Sequence, residues 1–402
     1  MKYVPIPVQL LAIGQPLPVD LWSSQGQLLL RKGQQVVSAQ HRERLAAHDA
    51  SATEGDASAW QRAYERQVHR LLHQGADVRE VARAPMPSVI REVDYQVAQR
   101  VSGGWLDLQE VLRGILYQGG LSINPLPRLA GIEKKLHSLL KDDTDDSLFC
   151  LYQALADDSL GYCATHALLA AVVCELSAEK LGFDALQRQS LMRAALTMNI
   201  GMARDQDSLA RQDDVPAPWQ QTLIQEHPMR GADILRGLGQ DDPDVLDMVR
   251  WHHEPESTEA LPQTLPSRRL LALADSFIAQ TAGRKSRPSL SAVRAVKSMV
   301  LGAQGDAIGY GSAMAQAVGF YPPGSYVKLQ NGEIAVSVER GARANTPWVV
   351  SIIDRHGMPT SRYACRETTS TAQAIAHAVQ FESVRVNVSV EKVRRARDRI
   401  VR

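Results

Sequence analysis

The sequence predicts a mainly α protein with a small β-containing region at each end. Three observations carry this prediction. Aromatic residues are only 5% of the chain while 44% of it is hydrophobic, so the core must be built from Leu, Ala, Val and Met. Leu and Ala favour helices, whereas strands draw on aromatic and β-branched residues. Residues 148–320 repeat apolar side chains at three- and four-residue steps with almost no alternation, which is the period of a helix. Beyond Pro322-Pro323-Gly324 the period falls to two, as in strands.

Taken in order, the first forty residues read as a small β-rich cap. Leu28-Leu29-Leu30 between Gly26 and Gly33 is a strand with a turn at each end. Residues 51–58 are small and polar and read as a linker. From Trp60 to about Ser102 the pattern is helical, with Tyr64, Val68, Leu71 and Leu72 on one face. Gly103-Gly104 and Gly119-Gly120 punctuate the chain, and residues 142–146 form an acidic turn. Three apolar helical faces follow. Ala167, Leu168, Ala171, Val172 and Leu176 form the first, and Leu186, Leu191, Ala194, Ala195 and Met198 the second. Ile234, Leu235, Leu238, Val245, Met248 and Val249 form the third. Residues 270–277 are apolar nearly all round, which predicts a buried central helix. Tyr326-Val327-Lys328-Leu329 and Ile334-Ala335-Val336-Ser337-Val338 flank Asn331-Gly332, a strong hairpin signal. Residues 348–353 give a third strand, and Val384, Val386, Val388 and Val390 alternate as a further one. The basic tail at 392–402 reads as a solvated end. The expected domains are a cap at 1–50, a helical connector at 51–147, a helical domain at 148–320 and a β-containing region at 321–402.

The 402 residues suit about two to three domains. A net charge of +1 excludes a basic nucleic-acid coat and an acidic disordered chain. Cys150, Cys163, Cys174 and Cys365 form no C-x-x-C pair, which points to small core residues in a reducing compartment. Pro5 and Pro7 break the apolar start, so no signal peptide is read, and no run is long enough to span a membrane. The expected location is the cytoplasm.

The chemistry concentrates in the helical block. His166, His227, the doublet His252-His253 and Asp275 all lie there. A carboxylate among Leu271, Ala272, Leu273, Ala274 and Phe277 must be paired, hydrogen-bonded or bound to a metal. Imidazole and carboxylate donors suit Zn, Mn, Fe or Ni.

Five ordered landmarks in this block resemble the HD-GYP subgroup of HD-domain phosphohydrolases. Tyr162-Cys163-Ala164-Thr165-His166 is similar to the first-histidine helix. Ile200-Gly201 stands where Ile-Gly follows the His-Asp doublet. Glu226-His227-Pro228-Met229-Arg230-Gly231-Ala232-Asp233-Ile234-Leu235 resembles H-P-x-x-G-x-x-I-L, and Trp251-His252-His253-Glu254 resembles the H-H-E segment. Arg269-Leu270-Leu271-Ala272-Leu273-Ala274-Asp275 resembles the segment ending in the metal-binding Asp. The resemblance implies an α-helical bundle with two or three metal ions that hydrolyses cyclic di-GMP, a bacterial second messenger. Two ions about 4 Å apart would activate water and offset phosphate charge. It also implies a phosphate-contacting role for Arg284, Lys285 and Arg287, the alternative being a solvated turn.

Against this pattern, Met198-Asn199 stands in place of the His-Asp doublet and Met202 in place of the following Lys. Tyr162 matches a further Glu ligand of three-metal members, and G-Y-P is absent. A thioether is a poor partner for ions that prefer nitrogen and oxygen, and a neutral amide supplies no bridging charge. The first ion would keep only His166 and Asp275, with Asn199 as a weak donor. The second would keep His227, His252 and His253, enough for a zinc-like ion with an open position. The expectation is therefore no ion or one residual transition metal ion rather than a dinuclear centre. A degenerate HD-GYP protein follows, impaired in hydrolysis and acting by binding cyclic di-GMP or a signalling protein, with no nucleic-acid partner. The alternatives are an active phosphodiesterase with a rearranged centre and a purely structural scaffold.

Overall fold

The computed structural model describes residues 3–73, 77, 80, 84–91, 104–157, 160–283, 289–302 and 307–400. The chain forms two units, residues 1–99 and 100–402.

In the first unit, β1 (Tyr3–Pro5), β2 (Leu21–Trp22), β3 (Leu28–Leu30) and β4 (Ser51–Thr53) form an antiparallel sheet in the order β1-β4-β2-β3. Helices α1 (Ala39–Ala47) and α2 (Glu54–His73) accompany it. Val8, Leu11, Val19, Leu21, Val36, Leu45 and Trp60 close its core. The linker expected at 51–58 is instead a buried inner strand running directly into α2. The small polar residues have a local reason. Thr53 Oγ1 accepts from the Asp56 amide at 3.2 Å and donates to its carboxylate at 2.8 Å, which caps α2. Residues 84–91 are not helical, and most of the remaining stretch read as helix up to Ser102 lies outside the described residues.

The second unit is mainly helical. Its helices are α3 (Trp105–Gln118), α4 (Pro125–Asp142), α5 (Thr144–Leu155), α6 (Tyr162–Lys180), α7 (Ala185–Thr197), α8 (Ala203–Arg211), α9 (Pro218–Gly237), α10 (Pro243–Trp251), α11 (Leu265–Thr281), α12 (Ala292–Gly302) and α13 (Ala307–Val318). The central helix is α6. It is buried at every position from Tyr162 to Glu175 and packs against α3, α5, α7, α8, α11 and α13. The sequence placed that role in residues 270–277. There α11 buries Leu270, Leu271, Ala274, Phe277 and Ile278, but leaves Ala272, Leu273 and Asp275 half-buried. The face carrying Asp275 borders the histidines rather than the core.

Five antiparallel strands follow in the order β8-β7-β6-β5-β9: β5 (Tyr326–Leu329), β6 (Ile334–Glu339), β7 (Trp348–Ile353), β8 (Pro359–Glu367) and β9 (Ile375–Val379). The hairpin at Asn331-Gly332 and the third strand form as expected. The alternating valines do not form a strand. Val384 and Val388 pack on the sheet core without a ladder, and Val390 opens α14 (Val390–Arg397). β5 is already paired on both sides, by β6 and β9. The basic tail is not a free solvated end. Val393 and Ala396 are buried, Arg394 holds Asp146 by two bonds of 2.8 and 2.9 Å, and Arg397 reaches Asp143 at 3.1 Å. No helix among the described residues is long and apolar enough to cross a membrane.

Glu333 clamps the sheet. It accepts two bonds of 3.0 Å from Arg366 and one of 2.6 Å from Ser351. The Arg366 bonds lead in pulling its carboxyl down to about 2. This contribution to stability is fully present above the ordinary carboxyl range and is lost as pH falls through about 2. The urea-midpoint gap between the wild type and Glu333→Gln should therefore narrow from pH 6 to pH 3. A gap independent of pH contradicts this assignment.

Candidate functional site

The site begins with a missing proton donor in α9. In an unbroken helix the carbonyl of Ile224 would accept from the amide of residue 228, but residue 228 is proline. That carbonyl is free to take the Nδ1 proton of His227, at 2.6 Å. The His-Pro pair thus fixes the imidazole tautomer and leaves the Nε2 lone pair exposed to the site. The end of α10 does the same by different means. The helix stops at Trp251, so the Val249 carbonyl lies in its last turn. His252 Nδ1 donates to it at 2.7 Å.

The outcome is two lone pairs face to face. His227 Nε2 and His252 Nε2 are 3.2 Å apart in full burial. Burial presses His227 down to about 4, outweighing the bond to Ile224, and His253 pushes the same way. Burial and the neighbouring imidazoles hold His252 at about 3. Each Nδ1 proton goes to a carbonyl and burial disfavours a second proton on either ring, so the two Nε2 atoms meet without a proton between them. Two nitrogens bound to one tetrahedral zinc at about 2.0–2.1 Å lie roughly 3.3 Å apart, close to the separation here. His253 completes a group whose donor atoms all lie within 4.8 Å of one another. This donor set fits a single cation.

The turn bearing His253 is tied down by a buried pair. Arg268 Nη1 donates to Asp247 at 2.7 Å and to the Leu261 carbonyl at 2.6 Å, and Arg268 Nε to the Pro255 carbonyl at 3.0 Å. Asp247 also accepts from the Leu261 amide at 2.9 Å. These bonds join α10, α11 and the connection between them.

On the other side, His166 Nε2 and Asp275 Oδ1 are 2.8 Å apart, and His166 Nδ1 is 3.0 Å from the Tyr162 hydroxyl. A carboxylate only accepts, so in the neutral ring the proton sits on Nε2 and the phenol donates to Nδ1. This is the opposite tautomer to that of His227 and His252. Burial alone would raise the Asp275 carboxyl, but the His166 bond and the imidazoles hold it well below the usual range. The first turn of α6, which carries His166, is set by Asp207 of α8. Asp207 accepts from the Cys163 amide at 2.6 Å and from the Tyr117 hydroxyl. Gly161 just before has φ +88°, and a side chain there would meet Asp207 at 3.0 Å.

The structure brings together His227, His252 and His253, and pairs His166 with Asp275. Asp275 Oδ2 and His253 Nδ1, 4.0 Å apart, link the two groups. Met198 is fully buried and Asn199 nearly so, with Asn199 Nδ2 lacking a hydrogen-bond partner among the described residues. Met202 precedes α8. Arg284, Lys285 and Arg287 lie outside the described residues. Sequence reasoning missed Asp207, Tyr117, Asp247 and Arg268. The first three gave no local signal; Arg268, a cation on an apolar helix, could have been flagged as needing a buried partner.

Residues 163–280 match the HD domain family model, a stretch running from the first turn of α6 to the end of α11. Over that stretch the chain is similar to HD domains, and its motifs resemble the HD-GYP branch. Over 128 residues it is 28% identical to the cyclic di-GMP phosphodiesterase PA4108 of Pseudomonas aeruginosa, covering 30% of this chain and 31% of that relative's length. Among solved structures it aligns with Bd1817, an HDG"Y"P protein from Bdellovibrio bacteriovorus. That alignment has 15% identity and a TM-score of 0.42, over 78% of this chain and 99% of the other.

Close backbone approach explains the Ile-Gly and H-P-x-x-G landmarks. A Cβ on Gly201 would press into the His227 carbonyl oxygen and lie 2.9 Å from the Gly231 nitrogen. Gly201→Ala should therefore destabilise the second unit by about 1–3 kcal/mol, read from urea unfolding. A neutral substitution would show that the turn at 198–201 does not lean on α9.

Proposed function

We propose that this HD domain is a cyclic di-GMP-responsive binding module whose centre holds a single ion and is impaired in phosphodiester hydrolysis. The observation that carries this reading is the division of the site into two unlike halves. His227 and His252 turn their Nε2 lone pairs toward each other, and His253 offers a donor atom within 4.8 Å of theirs. Where the resemblance calls for a His-Asp doublet, Met198 and Asn199 stand instead, and His166 donates to Asp275.

A metal bound by the three imidazoles would supply a Lewis acid and a docking point for a phosphodiester oxygen. The chain's own contribution is orientation. Pro228 and the end of α10 set the rings, and Arg268 with Asp247 holds the His253 turn. No second carboxylate stands at positions 198 and 199 to keep another ion beside the first. The relative of known activity acts on cyclic di-GMP by its name, which makes that nucleotide the first ligand to test.

A second reading, a phosphodiesterase working with one ion, draws on the same three imidazoles. Titration calorimetry and chromatography of reaction products at high protein concentration, with Mn, Fe, Ni or Zn, separate the two. The proposal expects saturable heat with cyclic di-GMP and little or no linear product. Robust metal-dependent turnover would defeat it in favour of the second reading. Absence of both binding and turnover would favour a structural scaffold.

A further inference from the structure

A cleft of about 910 Å³ lies between the start of α3, helix α5 and the stretch leading into α14, and none of the histidine-site residues lines it. All of its walls belong to the second unit. One wall is the run of alternating valines at 384–390, which the sequence reads as a strand and the structure leaves outside the sheet. The two ends of this run are tied. The Val384 amide donates to the Phe381 carbonyl at 3.0 Å, and the Ser389 amide to the Tyr363 hydroxyl at 3.2 Å. Between them, the amides of Arg385, Val386, Asn387 and Val388 donate to no atom of the described residues. Val384, Val388 and Val390 pack on the sheet core, whereas the chain bends at Val386, which is not among the side chains packed there. The start of α3 adds Leu106, 59% exposed. Charge in the cleft is one-sided: five aspartates line it against Arg394 alone. Arg394 already holds Asp146, and Asp143 is held by Arg397. Asp107 and Asp142 are exposed and have no cationic partner among the described residues.

We propose that this cleft docks a basic, extended segment of a partner protein, in which apolar and cationic residues alternate. The cleft offers main-chain donors, apolar side chains and unpaired negative charge, and such a segment uses all three. Its carbonyls accept from the amides at 385–388, its apolar side chains cover Val386 and Leu106, and its cations meet Asp107 and Asp142. An acidic segment meets like charge here, and an apolar ligand leaves the amides without acceptors. The proposal is independent of whether the histidine site holds an ion.

Fluorescence anisotropy with the full chain tests this, using short labelled peptides that alternate Val with Lys, Val with Glu, and Ser with Lys. The Val–Lys peptide should bind saturably and more weakly as salt rises, and the other two should bind far less. Joint Asp107→Asn and Asp142→Asn substitution should weaken Val–Lys binding roughly 3–10-fold, and Val386→Ser about tenfold. All three positions are at the surface or only partly buried, and circular dichroism checks that the variants fold. Equal binding of the Ser–Lys or Val–Glu peptide, unchanged affinity in both variants, or no binding of any peptide would overturn the proposal. So would a dimer, seen by sedimentation, that Val386→Ser dissociates, because the occupant would then be a second copy of this chain.

Discussion

Which nitrogen of each buried histidine carries its proton decides what this site can hold. His227 and His252 give their protons to backbone carbonyls behind them and turn lone pairs inward. His166 does the reverse, turning its proton toward Asp275. Two acceptors 3.2 Å apart repel unless a cation lies between them, and burial keeps that cation from being a proton at neutral pH. A donor aimed at a carboxylate is already satisfied. The two halves of the pocket therefore differ in what they offer, lone pairs in one and a donor–carboxylate pair in the other.

The backbone arranges this with ordinary devices. A proline removes one amide and frees a carbonyl, and a helix ends so that a second carbonyl is available. A glycine lets the turn at 198–201 lie against α9. A buried carboxylate from α8 caps the N-terminus of α6. The α6 helix, buried from Tyr162 to Glu175, then carries His166 into the site, and the Arg268–Asp247 pair holds the connection bearing His253. Breaking such a buried pair by removing one partner commonly costs about 3–5 kcal/mol, so the arrangement is stiff where the imidazoles converge.

Much of this was legible in the sequence. The histidines and Asp275 were singled out by their placement in an apolar helical block, and the motif spacing grouped them. The C-terminal hairpin followed from Asn331-Gly332 and the change of period. What was not legible depended on contacts between residues distant in the chain. Asp207 meets Cys163 across 44 positions, and Arg268 meets Asp247 across 21. No local pattern names the partner in either case. β4 was hidden because Ser51, Ala52 and Thr53 are small, which suits a crowded inner strand but also resembles a linker. The valines at 384–390 alternate because they pack on a sheet, not because they join one. α6 was underrated as the central helix because Thr165, His166 and Glu175 interrupt its apolar run, although each is buried with a partner.

The central claim is that this pocket sustains one ion and not two. Elemental analysis of protein purified without chelators counts them. One transition metal ion per chain, lost in a His227→Ala variant, is the result this account predicts. Two or more ions per chain, or none after incubation with Zn, Mn, Fe or Ni, would contradict it.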